Sequence, residues 1–296
     1  MDARLFARYF RVSARPDQES RDFIDLLEEC ATRPLVEREF DIGQSTIVRL
    51  ERFSQQGDFA FGEFNRIQRV NIPPQAGPDG LIPIALEEGH GIGHVCAFQY
   101  HKPTRIFLLQ RNLLGATPAR ISIYARMLSA SAFYTLSPVL RRDSLTRLNA
   151  GMPKSLTMGF ASPTNLAALE DTGVSGASAA QRLSEVYDAP EIEFTVSVGN
   201  KRGIFLAADR VMRAVENLLT SNADTKTLKV RVDTGEGTET IDLINEGLTY
   251  SIDLALPENA PEDNYIVRKN ALSSSFNDQM GYILEHYGRA PGAASS

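Results

Sequence analysis

Residues Leu228–Leu254 read LKVRVDTGEGTETIDLINEGLTYSIDL. Three runs within it, Leu228–Val232, Glu239–Ile244 and Thr249–Leu254, alternate apolar with polar side chains, the period of strands that cover one face. Gly235-Glu236-Gly237 and Glu246-Gly247 stand between them and supply tight turns. Strands in meander-like runs, rather than strict β–α–β alternation, make the chain α+β, with mixed, mostly antiparallel sheets and flanking helices.

Working outward from this stretch, Ala207–Leu219 predicts a helix with Val211, Ala214, Val215 and Leu218 on one side. Ile192–Val198 alternates as a strand, and Ser178–Tyr187 reads as a helix. Towards the N-terminus, 3–12 alternates as a strand. Asp17 reads as the cap of a helix that carries Phe23, Leu26 and Leu27 and ends before Pro34. Ile47–Phe53 and Phe59–Val70 form a hairpin about Gly57, and Asn71–Pro83, with four prolines and two glycines, is a loop. Val95–Tyr100 and Arg105–Gln110 pair across the turn at His101–Thr104. Thr117 followed by Pro118 starts a helix with Ile121, Tyr124, Ala125 and Leu128 on its apolar face. Phe133–Leu140 and Ser155–Ala161 are strands about a short helix at Asp143–Asn149, and a last helix covers Ser275–Tyr287. The loop at Gly173–Gly176 divides an N-terminal domain, 1–172, from a C-terminal domain, 173–290, with a disordered tail at 291–296.

The chain has 296 residues, 43% of them hydrophobic and 23% charged, which is the composition of a globular protein. No apolar run reaches the length of a transmembrane helix, so no membrane insertion is expected. The first twenty residues mix Arg and Asp among apolar side chains and lack the core of a signal peptide. Cys30 and Cys96 are the only cysteines, and no Asn-x-Ser/Thr acceptor occurs. Together these predict a cytoplasmic protein with reduced thiols.

The net charge is −6, unevenly spread. Residues 102–160 hold nine basic residues and one acid, Asp143, whereas 1–101 carry −5 and 161–296 carry −9. Seven of the nine are arginines, whose forked guanidinium suits phosphate. A positive zone inside an acidic chain is the footprint of a polyanion site. The competing reading pairs these arginines with acids of the flanking segments.

The other motifs point away from catalysis. Gly89-His90-Gly91-Ile92-Gly93-His94 follows Glu87-Glu88 and leads into a strand, so it is a glycine-rich strand entry rather than a phosphate loop. His90, His94, His101 and Cys96 lack the spacing of a zinc site, and no Gly-x-Ser-x-Gly elbow occurs. Asp188, Glu191 and Glu193 at a strand entrance are the only nuclease-like carboxylates, without the usual following lysine. Gln110-Arg111-Asn112 at a strand end can serve phosphate or satisfy loop backbone. Phe53, Phe59, Phe61 and Phe64 recur at strand spacing and read as core.

The order of elements in the middle of the chain has a parallel. Gly91-Ile92-Gly93-His94-Val95 leads a strand, and Thr135-Leu136-Ser137-Pro138-Val139-Leu140-Arg141-Arg142 precedes a short polar segment. Met158-Gly159-Phe160-Ala161 then lies on a further strand. Over roughly 86–161 this resembles the RexA-like phage exclusion proteins, a fold also attributed to the DNA-binding subunit of the Kiwa anti-phage system. The resemblance implies a homodimer that binds double-stranded DNA without sequence preference, with a possible protein partner in a defence system. In transfer it reaches only Arg141 and the basic residues beside it. With the charge count, the expected phosphate contacts are Arg141 and Arg142, then Arg111, Arg120, Arg126, Arg147 and Lys154, extended by Lys201 and Arg202. No cofactor is expected. The alternatives are a metal-dependent nuclease using Asp188, Glu191 and Glu193, and a subunit docking an acidic protein.

Overall fold

The computed structural model describes residues 2–14, 21–43, 46–129, 134–161, 183, 186, 187, 189, 191–220 and 225–288. The expected cap at Asp17, the loop at Gly173–Gly176, most of the helix at Ser178–Tyr187, and the tail lie outside them. The architecture is α+β, with mostly antiparallel sheets. Among the described residues no helix is long and apolar enough to cross a membrane.

The chain forms two compact units. The first comprises 1–8, 14–134 and 249–296, the second 9–13 and 135–248. The first unit is built on strands β1 (Asp2–Ala14), β2 (Glu39–Asp41), β3 (Ile47–Gln56), β4 (Phe59–Gln68), β7 (Ile92–His101), β8 (Ile106–Gln110) and β14 (Thr249–Ala255). Their order is β14-β1-β8-β7-β4-β3-β2. β3 and β4 are the expected hairpin, turning at Gly57 with φ +59°. β14 does not continue the meander read from the sequence: it pairs antiparallel with β1, Asp2 opposite Ala255 through Arg8 opposite Thr249. The segment read as loop, Asn71–Pro83, contains a small hairpin, β5 (Gln75–Gly77) and β6 (Gly80–Ile82).

Helix α1 (Phe23–Ala31) is capped by Asp22, whose carboxylate accepts from Ile24 N at 3.0 Å. It buries Phe23, Ile24, Leu26, Leu27 and Cys30, and α2 (Pro118–Ser129) buries Ile121, Tyr124 and Ala125. Phe23 sits edge-on to Phe107 and Tyr134, Phe98 stacks on Phe107, and Phe64 meets Phe98 and Tyr124. Tyr124 Oη donates to Arg38 O at 2.8 Å and accepts from Leu50 N at 3.2 Å, so its buried hydroxyl is satisfied. The close approach of β3, β4 and β7 excludes a side chain at Gly62, where a Cβ would lie 2.3 Å from Arg52 O and 2.6 Å from the Phe98 ring.

The last helix, α5, spans Pro261–Tyr287 rather than starting at Ser275. Its first half was missed because Arg268 occupies a position that an apolar residue would mark. Arg268 is buried and donates two hydrogen bonds to Glu63 Oε1, at 3.0 and 2.5 Å. Phe276 of the same helix packs edge-on to Phe59. Phe61 and Phe64 are buried as expected of core aromatics.

The second unit holds β9 (Tyr134–Pro138), α3 (Arg142–Ala150), β10 (Met152–Ala161), β11 (Glu191–Ser197), α4 (Ala208–Thr220), β12 (Thr225–Asp233) and β13 (Thr238–Asp242). β9 pairs with β1, part of which counts in this unit. A four-stranded antiparallel sheet runs β11-β10-β12-β13. Leu156, Met158 and Phe160 of β10 join Leu228, Val230 and Val232 of β12 and Val211, Val215 and Leu218 of α4 in one core. The expected division near 173 falls between strands of this single sheet, because β10 pairs with both β11 and β12. The observed divisions stand at 134/135 and 248/249.

Candidate nucleic-acid interface

The positive segment 102–160 is shared between the units: Arg111, Arg120 and Arg126 belong to the first, Arg141, Arg142, Arg147 and Lys154 to the second. Each set has its own surroundings.

In the second unit, β13 and the turn after it carry Glu239 and Glu246 to the side of α3. Arg147 donates to Glu239 Oε2 at 3.0 Å and to Glu246 Oε2 at 2.6 Å, with Asp143 at 3.4 Å. Ser144, fully buried, donates to the same Glu246 oxygen at 2.5 Å. Asp242 N donates to Glu246 Oε1 at 3.1 Å. Arg141 lies 3.7 Å from Glu246 and 4.0 Å from Asp143, while Arg142 is exposed at the first position of α3. Burial works to raise the Glu246 pKa, but the Ser144 hydroxyl, the Asp242 amide and Arg147 outweigh it, and the carboxyl titrates below its ordinary range. The hydrogen bond to Glu239 leads in raising Arg147. Here the acids of the second half engage the arginines unequally: Arg147 is half-buried and hydrogen-bonded between Glu239 and Glu246, while Arg141 stays exposed at the edge of this ion cage.

Lys154 is also internal. It is 7% exposed, donates to Lys201 O at 3.0 Å, stands 3.6 Å from Asp233 and lies over the Phe205 ring. Its role is to hold a loop. Val198 N donates to Lys154 O at 3.1 Å and Leu206 N to Pro153 O at 2.8 Å, so the seven residues between leave and rejoin the sheet at adjacent carbonyls. Gly199 and Gly203, at φ +65° and +68°, make the two left-handed bends that glycine adopts without strain. Arg231 Nη2 donates to Gly199 O at 3.4 Å from β12. Pinned at both ends and braced at two carbonyls, the loop presents Lys201 and Arg202 to solvent. Neither has an ion-pair partner among the described residues.

Beside this loop runs one face of the sheet. Register places Ser197, Ser155, Arg231 and Thr240 in one row, and Thr195, Thr157, Lys229 and Asp242 in the next. Thr157 and Thr195 share a hydrogen bond of 2.9 Å, and Lys229 stands 3.9 Å from Asp242. Glu193 opposes Gly159 at the far end. Lys154, Lys201 and Arg202 were anticipated here, although Lys154 serves from beneath. Arg231 and Lys229 were not, although LKVRV at 228–232 shows them alternating with the buried Leu228, Val230 and Val232.

In the first unit, Lys102 pairs with Asp25 at 2.8 Å and Arg105 approaches Asp22 at 3.9 Å. Arg120 donates to Gly115 O at 3.0 Å and Arg66 to Leu114 O at 2.8 Å. Burial, and then the neighbouring Arg66, depress the Arg120 pKa. Arg111 and Arg126 are exposed. The amides of Gln110 and Asn112 serve backbone, Gln110 accepting from Ala97 N and Asn112 donating to Val95 O.

Among the described residues, no group of three His, Cys, Asp or Glu side chains is placed to hold a metal. His94 bonds Gln68, His101 bonds Thr104, and Asp188 lies outside the described residues. A Cβ at Gly91 would fall 2.7 Å from Gln68 O, the close packing expected of a strand entry.

The sequence pattern of a family of unknown function, DUF6731, matches residues 3–276. No curated protein matches the chain.

Proposed function

We propose that this chain, which belongs to the DUF6731 family, binds double-stranded DNA without sequence preference through its second unit. The observation that supports it is the braced loop 199–205, which holds Lys201 and Arg202 exposed beside a Ser/Thr-lined sheet face carrying Arg231 and Lys229. Lysine and arginine neutralise phosphates and release counterions, and hydroxyls in register add uncharged phosphate contacts. Contacts of these kinds to the phosphate backbone carry no sequence information, so the contact has no sequence preference. Phage exclusion or anti-phage defence, which the RexA-like resemblance implies, is the setting this reading assigns.

The test is fluorescence anisotropy of labelled duplex DNA at several salt concentrations. Wild-type affinity falls steeply with salt and is equal for unrelated sequences. Lys201→Glu with Arg202→Glu lowers it roughly 100-fold at moderate salt. A folded double variant that binds as wild type overturns the assignment, and absence of binding at low salt overturns the function.

A further inference from the structure

The first unit carries two exposed apolar surfaces of opposite charge. One is the 23-residue excursion between the paired strands β4 and β7, residues 69–91. Every residue from 78 to 90 is exposed, including Leu81 at 72% and Ile82 at 54%, with Ile84 and Leu86 beyond them. Its hairpin has strands of three residues, too short to be stable alone in water. The acids Asp79, Glu87 and Glu88 punctuate it, and no Lys or Arg occurs between 70 and 101.

The other surface is the loop before α2 and the outer side of that helix. Leu113 is 81% exposed and Leu114 55%. Ile123 and Met127, four residues apart on α2, are exposed as well. Arg111, Arg120 and Arg126 are interspersed, and no Asp or Glu occurs between 89 and 142. Exposed apolar area of this kind, set among charges of a single sign, marks a contact surface.

The two surfaces spring from the same end of the sheet. The excursion leaves after Gln68, which pairs with Ile92. The receiving loop is hooked to Arg66 through Leu114 O and to Val95 through Asn112. We infer that the 69–91 excursion is an arm that docks on the Arg111–Met127 surface of a second copy of the chain, reciprocally about a twofold axis. Rooted beside its own receiving surface, each arm need only cross the axis to reach its partner's, which closes the dimer with two identical contacts. The acidic arm faces the cationic surface in both, so charge complementarity sets the register while the leucines and isoleucines are covered. Arg111, Arg120 and Arg126 are thereby assigned to protein contact rather than to phosphate. Both surfaces lie in the first unit, so this inference stands or falls separately from DNA binding by the second.

The experiment is sedimentation equilibrium across the micromolar range. Wild type is expected as a dimer. Glu87→Lys with Glu88→Lys, and separately Arg111→Glu with Arg126→Glu, each weaken dimerisation at least ~100-fold. Mixing the two variants restores a dimer, because one arm contact is then wild type and the other is inverted on both sides. Melting temperatures near wild type establish that the variants fold, and Leu81→Ser with Ile82→Ser gives an independent loss of dimer. Three results overturn the inference: a wild type that stays monomeric, variants that dimerise as wild type does, or a mixture that stays monomeric.

Discussion

Arg141 and Arg147, and Lys201 and Arg202, lie in the same unit and carry the same charge, yet they are put to different uses. The first pair sits where a turn and a strand bring Glu239 and Glu246 against α3. The second pair stands on a loop whose carbonyls are braced by Lys154 from beneath and by Arg231 from the neighbouring sheet face. Arg147, in the densest positive stretch of the sequence, is therefore the more neutralised, although Arg111 of the same stretch is exposed. Two adjacent cations in an otherwise acidic segment are the more available. Linear charge density says how many cations there are, whereas the fold decides which meet an acid first.

The largest effect expected on this contrast comes from Glu246→Ala. It leaves the buried Ser144 hydroxyl, the Asp242 amide and Arg147 without their common acceptor, and should lower unfolding stability by about 2–3 kcal/mol in denaturant titration. The same variant removes one of the acids that Arg141 and Arg147 face, Glu239 and Asp143 remaining beside them, so DNA affinity should rise by no more than about threefold in anisotropy. An unchanged stability would mean that the cage contributes nothing.

Acidification probes the cage next. Glu246 has its carboxyl lowered in the folded state, so the stability it contributes is present above the ordinary carboxylate range and is lost as pH falls through its folded value. Melting temperature should decline below about pH 4, and Glu246→Gln should flatten that decline. Equal acid sensitivity in the two proteins would remove Glu246 from the account.

The smallest effect is at the loop. Gly203→Ala places a Cβ on a residue with φ +68°, at a cost of roughly 1 kcal/mol. Nothing lies within 4 Å of that Cβ, so the strain is conformational alone. DNA affinity should drop a fewfold while overall stability changes little. A larger loss of stability than of affinity would mean that the loop is part of the core.

Much of the fold is legible in alternation and spacing. The β3–β4 hairpin, the Thr117-Pro118 helix start and the amphipathic α4 follow from residues that act locally. What resists reading depends on distant partners. The first half of α5 hides because its buried Arg268 is matched by Glu63, 205 positions away. β14 looks like the third strand of a meander, yet its partner is β1 at the other end of the chain. The prolines at 73, 74, 78 and 83 speak for a loop and conceal the short hairpin among them. The same holds at the candidate site. Lys201 and Arg202 announce themselves after a strand, and Lys229 and Arg231 sit in plain alternation. The cage around Arg147 does not, because its acids stand 92 and 99 positions further on.

The central claim is that the loop cations, and not the caged arginines, meet DNA. It is tested most directly by the salt dependence of duplex binding in two folded variants, Lys201→Gln with Arg202→Gln and Arg141→Gln with Arg147→Gln. The account predicts that the first flattens the slope of log K against log salt by about 2 while the second leaves it as in wild type. A flattened slope in the second and an unchanged one in the first would contradict it.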